Sequence, residues 1–331
     1  MPKFSFPGLV LLLGSGVIAA GFLTAFVASA QATPGGPCEL AYQPGKASSL
    51  VSIVDAGDGG PGVTFPTPLK TTGRELSVIT EGSGQPAYDT TYVDFDVNIF
   101  LGETLEYLTG STYDPLNPVR RIIVPEGTDF FGSVLECATP GSRLAVTTTV
   151  EDLFGTIEED EFIQNNSTIV AVVDVHNTYP TQATGSARLP QSGLPTVVTT
   201  ATGAHGLSFP NAPIPTELRV SVLKQGTGEA LREGAFVTTH FTGAVWNTRE
   251  VFVSTFELGV PLSLILQDQT RNTEGFGVIP GLAQALTGQT VGSQVLVSIP
   301  PSLGYQPGQA PFGVPDGATL VYVFDILGVT Q

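Results

Sequence analysis

The chain has 331 residues, with 30 Asp and Glu against 13 Lys and Arg and a formal net charge of −17. A chain this acidic is a poor ligand for phosphate backbones, which are held by clustered Lys and Arg. Only 13% of residues are charged and 41% are hydrophobic, which excludes a solvated acidic coil, and 39 Gly and 26 Pro without a three-residue period exclude collagen and point to turns between strands.

At about 100–200 residues per domain, the length suggests about two domains. Residues 1–30 come first. Lys3 precedes an apolar run from Gly8 to Val27, and Ala28-Ser29-Ala30 is a small-x-small cleavage site. This is the pattern of a signal peptide. The run also reaches the roughly 20 apolar residues that span a bilayer, so a retained N-terminal anchor is the rival reading. Either way the rest is exported, secreted or anchored to the outer face of the cytoplasmic membrane. An uncleaved N-terminal segment is the only membrane contact expected.

Residues 31–62 read as a leader. It holds Cys38, and the second cysteine is Cys137. An even count in an oxidising compartment favours a disulfide, the alternative being one buried and one exposed thiol. His176, His205 and His240 are scattered, with no zinc-like spacing.

An internal repeat follows. Gly141-Ser142 echoes Gly292-Ser293, and Thr168 through Asp174 echoes Thr319 through Asp325, both at an offset of 151. Upstream, Phe65-Pro66 matches Phe209-Pro210 at 144, and Glu75-Leu76 matches Glu217-Leu218 at 142. A period this long is a duplicated domain, not a solenoid. The copies are placed at 63–179 and 207–331, with a Pro-, Thr- and Gly-rich linker over 180–206. In the first copy, Glu158-Glu159-Asp160-Glu161 lacks the alternating spacing of a calcium loop and reads as a solvated acidic loop.

In the second copy, Leu218–Leu223 and Phe236–Phe241 alternate as strands. A short helix is predicted over Val278–Leu286, opened by Pro280 and ended by Gly288. Gln294–Ile299 and Thr319–Val329 are further strands around a Pro- and Gly-rich loop. This is an α+β pattern, a small antiparallel sheet with one short helix.

The ordered segments Gln225-Gly-Thr-Gly228, Val237–Gly243, Val251–Thr255, Val278-Ile-Pro-Gly-Leu282, Val291–Val295, Leu303-Gly-Tyr305 and Ala318–Tyr322 resemble the FKBP-type peptidyl-prolyl cis-trans isomerases. Together they cover most of 217–331, and the two-copy exported arrangement is similar to actinobacterial members. The resemblance implies two FKBP-like domains, each an antiparallel sheet wrapped around one short helix. It also implies an isomerase that assists the folding of exported proteins by binding the twisted X–Pro amide. Its partners would be proline-containing peptide segments, with no nucleic acid, no metal and no cofactor. The alternative is a noncatalytic FKBP-like peptide-binding or chaperone module.

The resemblance gives catalytic roles to Phe252, to the Ile279 backbone N–H as anchor for a substrate carbonyl, and to the Tyr305 hydroxyl. Val278 and Tyr322 also keep the family's residue type. Leu282 replaces the usual floor Trp, Phe241 a Tyr, Val253 an Asp, and Leu262 and Leu264 aromatic residues. Phe312 and Val314 would offer apolar contacts from the rim loop. In the first copy, Thr109 is placed opposite Phe252, Gly110 opposite Val253, Phe131 opposite Leu282 and Phe154 opposite Tyr305. Asp94, Asp96 and Asn98 intrude into the strand equivalent to Val237–Gly243. The first copy therefore reads as degenerate and noncatalytic.

Overall fold

A computed structural model describes residues 38–54, 60–88, 90–114, 118–123, 129–271 and 276–330. The segment read as a signal peptide or anchor lies outside them. Among the described residues, no helix is long and apolar enough to cross a membrane.

The first half carries β1 (Ser52–Val54), β2 (Gly62–Thr64), β3 (Glu75–Thr80), β4 (Thr91–Leu101), β5 (Tyr107–Gly110) and β6 (Val119–Ile122). Then come α1 (Phe130–Leu135), β7 (Arg143–Thr149), α2 (Val150–Phe154) and β8 (Thr168–Pro180). The next segment holds β9 (Ser186–Ala187), β10 (Thr196–Thr199) and β11 (His205–Ser208). The second half carries β12 (Arg219–Gln225), β13 (Phe236–Val245), β14 (Val251–Ser254), α3 (Thr255–Leu258) and β15 (Leu262–Ile265). It ends with α4 (Pro280–Leu286), β16 (Gln294–Ile299) and β17 (Leu320–Thr330).

Two antiparallel sheets share one design. The first runs β3-β7-β8-β4-β5 with β6 on β4; the second runs β12-β16-β17-β13-β14 with β15 on β13. The registers repeat as well. Asp96 faces Asp174 as His240 faces Asp325, and the bulge after Asp94 recurs after Thr238. The offset is thus 144 before the helix and 151 after it. The difference is absorbed between β5 and α1 in one copy and between β14 and α4 in the other. In β3 and β12 the register pairs Glu75 with Thr147 and Arg219 with Ser298, so Glu75 stands in the place of Arg219. The sequence match of Glu75 to Glu217 slips by two residues.

Each sheet curls around its helix. Phe95, Leu144 and Ile169 pack on Val134 and Leu135 of α1; Val237, Val295 and Phe324 pack with Leu282 and Leu286 of α4. Alternation along the strands sends neighbouring residues to the opposite face. That face is also buried. In the first copy Val51, Val63 and Phe65 cover Phe100, Val170 and Val172; in the second Leu194, Leu207 and Phe209 cover Trp246, Val321 and Val323.

These covers are the same element. The β1–β2 hairpin pairs Ser52 with Thr64, and the β10–β11 hairpin pairs Thr196 with Ser208, again at an offset of 144. The leader at 31–62 and the linker at 180–206 are thereby corrected. From Cys38 onward the former is the strap of the first sheet, and the latter is the strap of the second, with β9 adding to β12. Strands of three or four residues with polar flanks carry too few apolar positions to signal their period.

Polar anchors hold the straps. The Glu75 carboxylate accepts from the N–H groups of Ala47 and Ser48 at 2.7 and 2.9 Å. The buried Asp325 accepts from Ala183 N–H at 3.0 Å and from Gln294 Nε2 at 2.8 Å, with His205 Nε2 3.4 Å away. Cys38 and Cys137 form a disulfide, tying the first strap to the end of α1. In the acidic run, Asp160 accepts from Phe162 and Ile163 N–H, and Glu159 from Asn165. These carboxylates build a turn.

The two sheets pack outer face to outer face along β4, β8, β13 and β17. Tyr92 and Tyr179 bury against Leu327 with Ile122. Gly328 lies under the Tyr179 ring, where a Cβ would come within 2.1 Å of a ring carbon.

Candidate active site

In the second copy the sheet and α4 leave an apolar cleft of about 400 Å³. Its back wall comes from β13 and β17, whose inward positions are Phe241, Tyr322 and Phe324. The three rings form one stack-and-tilt cluster: Tyr322 stacks on Phe324 at 5.6 Å, and Phe241 lies 5.2 Å from Phe324. Phe252 meets Tyr322 edge-on at 5.7 Å. Such offset and edge-to-face contacts satisfy the ring quadrupoles and fix the wall's shape.

Leu282, in the first turn of α4, is part of the lining, and α4 can sit close to the sheet because Gly281 has no side chain. A Cβ at Gly281 would lie 2.4 Å from Ile299 Cγ2. Just before α4, the Val278 N–H donates to Gln267 and the Val278 carbonyl accepts from Gln269 N–H. This short parallel bridge holds the strand leading into Ile279. The Ile279 carbonyl accepts from Leu282 and Ala283 N–H, while no hydrogen bond engages its N–H among the described residues.

Tyr305 follows the Pro301–Leu303 turn, and its hydroxyl lies 3.0 Å from that of Tyr322. Burial raises the Tyr322 hydroxyl well above the ordinary phenol range, with Tyr305 adding to the effect. Tyr322 is therefore a neutral phenol at any physiological pH.

Of the residues singled out from sequence, the cleft brings together Phe241, Phe252, Val253, Leu264, Val278, Ile279, Leu282, Tyr305 and Tyr322. It does not include Leu262, Phe312 or Val314. Leu262 shares a face of β15 with Leu264 but sits at the exposed start of the strand, outside the cleft. Phe312 projects fully into solvent, and Val314 lines a shallow depression beside Tyr305. Gln269, Gly277, Pro311 and Phe324 complete the cleft and were missed. Phe324 had a signal: it sits two residues after Tyr322 on one strand and so shares its face.

The first copy has lost this wall. By register, Val97, Ala171 and Val173 stand for Phe241, Tyr322 and Phe324. The β4–β5 register pairs Ile99 with Thr109, as Gly243 pairs with Val253, so Leu108 rather than Thr109 stands for Phe252. That corrects the expected pairings of Thr109 and Gly110 by one residue. Phe131 packs its ring 5.2 Å from Phe95. The buried Asp94, Asp96 and Asn98 all face outward from the helix, towards the strap and the second copy. Asp94 takes both donors of the Arg120 fork, and Asp96 meets His176 Nε2 at 2.8 Å.

The model of the FKBP-type peptidyl-prolyl cis-trans isomerase family matches residues 227–327. A "Probable FK506-binding protein" of Corynebacterium glutamicum is 30% identical over 122 residues, spanning 37% of this chain and 94% of that relative. The chain belongs to the FKBP-type peptidyl-prolyl isomerase family. The FK506-binding protein 2B of Rhizopus delemar is 35% identical over 134 residues, which cover 39% of this chain and 58% of the fungal protein. The crystal structure of FkpA from Escherichia coli is 28% identical, over 43% of this chain and 53% of that one, with a TM-score of 0.31. The family match lies within the second copy, the one that holds the cleft.

Proposed function

We propose that the second copy is a peptidyl-prolyl cis-trans isomerase acting on proline-containing segments of exported proteins during their folding. The barrier to rotation about an X–Pro bond is set by amide resonance, roughly 18–20 kcal/mol, while the two isomers differ little in energy. Catalysis therefore needs a site that binds the twisted amide more tightly than either planar form. It needs no nucleophile.

One observation carries the reading. An aromatic-walled apolar cleft holds, in its lining, a backbone donor with no partner among the described residues, Ile279 N–H, and a hydroxyl, that of Tyr305. The walls grip the proline ring and keep water from the twisting carbonyl, whose lost resonance favours an apolar surrounding. Ile279 N–H anchors a neighbouring carbonyl, and Tyr305 donates to a second oxygen. Export is supported by the signal-like residues 1–30 and by the Cys38–Cys137 disulfide, a bond that persists in oxidising compartments.

A second reading, a noncatalytic peptide-binding or chaperone module, draws on Phe241 and Val253, which remove a hydroxyl and a carboxylate from the usual pocket. Each such loss costs about 1 kcal/mol or less than tenfold in rate when no partner is left buried. A weak isomerase fits that better than an inert one.

The deciding experiment is proline-limited refolding of a client, followed with the full exported chain. Acceleration that Phe252→Ala and Tyr305→Phe each reduce supports the isomerase. No acceleration by a chain shown to be folded by circular dichroism rejects it. Relatives named for FK506 binding make that macrolide a suitable competitor. With Val253 in place of Asp, inhibition is expected to be weak.

A further inference from the structure

The cleft's outer wall is its least supported part. Leu264 lies on β15, a four-residue strand at the sheet edge that, among the described residues, pairs only with β13. Before it comes Gly259-Val260-Pro261, and the left-handed Gly259 ends α3. Among the described residues, no other strand of the second copy's sheet pairs with the free side of this segment.

The first copy covers it. Arg120 points its fork at Asp94, with Nε and Nη2 2.5 and 2.6 Å from the two carboxylate oxygens. Its remaining donors cross to the second copy. Nη1 donates to the Pro261 carbonyl at 2.9 Å, and Nη2 lies 3.2 Å from Ser263 Oγ and 3.3 Å from Thr238 Oγ1. The Tyr92 hydroxyl reaches the Gly259 carbonyl at 3.3 Å. Ser263 faces the first copy and Leu264, the next residue on the strand, faces the cleft.

The contact joins equivalent places in the two copies. Arg120 pairs with Asp94 across β6 and β4 as Ser263 pairs with Thr238 across β15 and β13. The same strand pair of each copy therefore meets its counterpart. In the first copy the pair is a long cation and its carboxylate. In the second it is small and hydroxylic, leaving room for the guanidinium. The Asp94 carboxylate cancels the charge of Arg120 and fixes its plane, so the spare N–H groups aim at one place.

We infer that Arg120, helped by Tyr92, is a positioning residue for the proline cleft, and that the degenerate copy serves as a fixed buttress for its Leu264 wall. The inference rests on reading the cleft as the proline site. A free β15 samples positions in which Leu264 leaves the cleft, and the aromatic wall then holds the proline ring from one side only. The loss falls on binding of substrate and transition state together, so KM rises while kcat changes little.

The test uses the full chain with Arg120→Ala, Arg120→Lys, Tyr92→Phe and the second-copy double variant Thr238→Val/Ser263→Ala. The last leaves the Arg120–Asp94 pair untouched and guards against misfolding of the first copy. Three quantities are read: isomerase kcat and KM on a proline peptide, peptide Kd by titration, and hydrogen exchange at amides 259–265. Expected are faster exchange in that segment and a KM and Kd raised about three- to tenfold in Arg120→Ala, equivalent to about 0.7–1.4 kcal/mol. Smaller rises are expected in Tyr92→Phe and the double variant, and partial rescue in Arg120→Lys. Unchanged exchange, or faster exchange with unchanged peptide affinity, overturns the inference. A wild-type chain that binds peptide without catalysis rejects the isomerase reading alone, and the Kd arm still decides the role of Arg120. A wild-type chain that binds no proline peptide rejects both.

Discussion

The hydroxyls of Tyr305 and Tyr322 lie 3.0 Å apart, and only one of the two can donate in that contact. Tyr322 is almost fully buried and Tyr305 is half-exposed at the cleft. When Tyr322 donates, its buried hydroxyl is satisfied and the Tyr305 proton is left for an incoming oxygen. Tyr322 thus sets the direction in which Tyr305 donates. Tyr322→Phe is expected to lower kcat/KM by about tenfold or less, with little change in thermal stability, since water can replace the lost partner at Tyr305. Tyr305→Phe removes the donor itself and should cost at least as much. Equal activity in Tyr322→Phe and wild type would refute this assignment.

The histidine next to the cleft's back wall makes stability depend on pH. His240 is buried, with Nδ1 2.8 Å from Thr255 Oγ1 and Nε2 3.1 Å from the Tyr92 hydroxyl. Thr255 Oγ1 in turn accepts from Phe241 N–H. Neutral imidazole, protonated at Nε2, satisfies the whole chain. Desolvation pushes the His240 pKa down to about 4; Asp325 opposes this, and His205 and Arg120 add to it. The unfolded chain takes up a proton near pH 6.5 and the folded one does so only near 4. Stability is therefore full above about pH 6.5 and falls as the pH drops towards 4, at up to about 1.4 kcal/mol per pH unit from this group. Urea unfolding at several pH values checks it. His240→Asn should flatten the slope in that window.

Much of the architecture was legible in the sequence because strands near the C-terminal end of each copy keep their apolar and glycine positions. Gly141/Gly292 and Asp174/Asp325 fixed the 151 offset, and the sheet register repeats it. The strap hairpins were not legible. Ser52–Val54 and Thr196–Thr199 are too short to show a period, although Leu50 and Leu194 do share the 144 offset. The cleft was legible where the chain keeps the residue types of the family it resembles, as at Phe252, Ile279 and Tyr305, all of which line it. It was illegible where position along a strand decides, as between Leu262 and Leu264, which share a face of β15 while only Leu264 reaches the cleft. The role of Arg120 was illegible because it depends on how two separate sheets meet.

The Cys38–Cys137 bond closes a loop of 99 residues around the first copy. A cross-link over such a loop restricts the unfolded chain and stabilises by about 2–4 kcal/mol. Reduction, or Cys38→Ser/Cys137→Ser, is expected to lower the Tm of the first copy by several degrees. The cleft lies on the other sheet, so isomerase activity at 25 °C should survive below the new transition. Calorimetry and activity on the same reduced sample separate the two effects. Activity lost without unfolding would place the disulfide in the cleft's support.

Gly328 offers the sharpest test of the contact between copies. It sits on β17 one residue after Leu327, under the ring of Tyr179, and a Cβ there would come 2.1 and 2.5 Å from two ring carbons. The ring lies in a buried interface and its neighbour Arg120 stacks over it at 5.6 Å, so it has little room to retreat. Gly328→Ala is expected to cost about 1–3 kcal/mol, the range for overpacking. Because the strain lies between the copies, limited proteolysis at the 180–186 connection should speed up as well. The clash needs both partners. Tyr179→Ala opens a cavity alone, but in the Gly328→Ala background it also relieves the contact. The double variant should therefore be more stable than the sum of the single losses predicts, by at least about 1 kcal/mol. Simple additivity would mean that the two sheets do not meet at this point in solution.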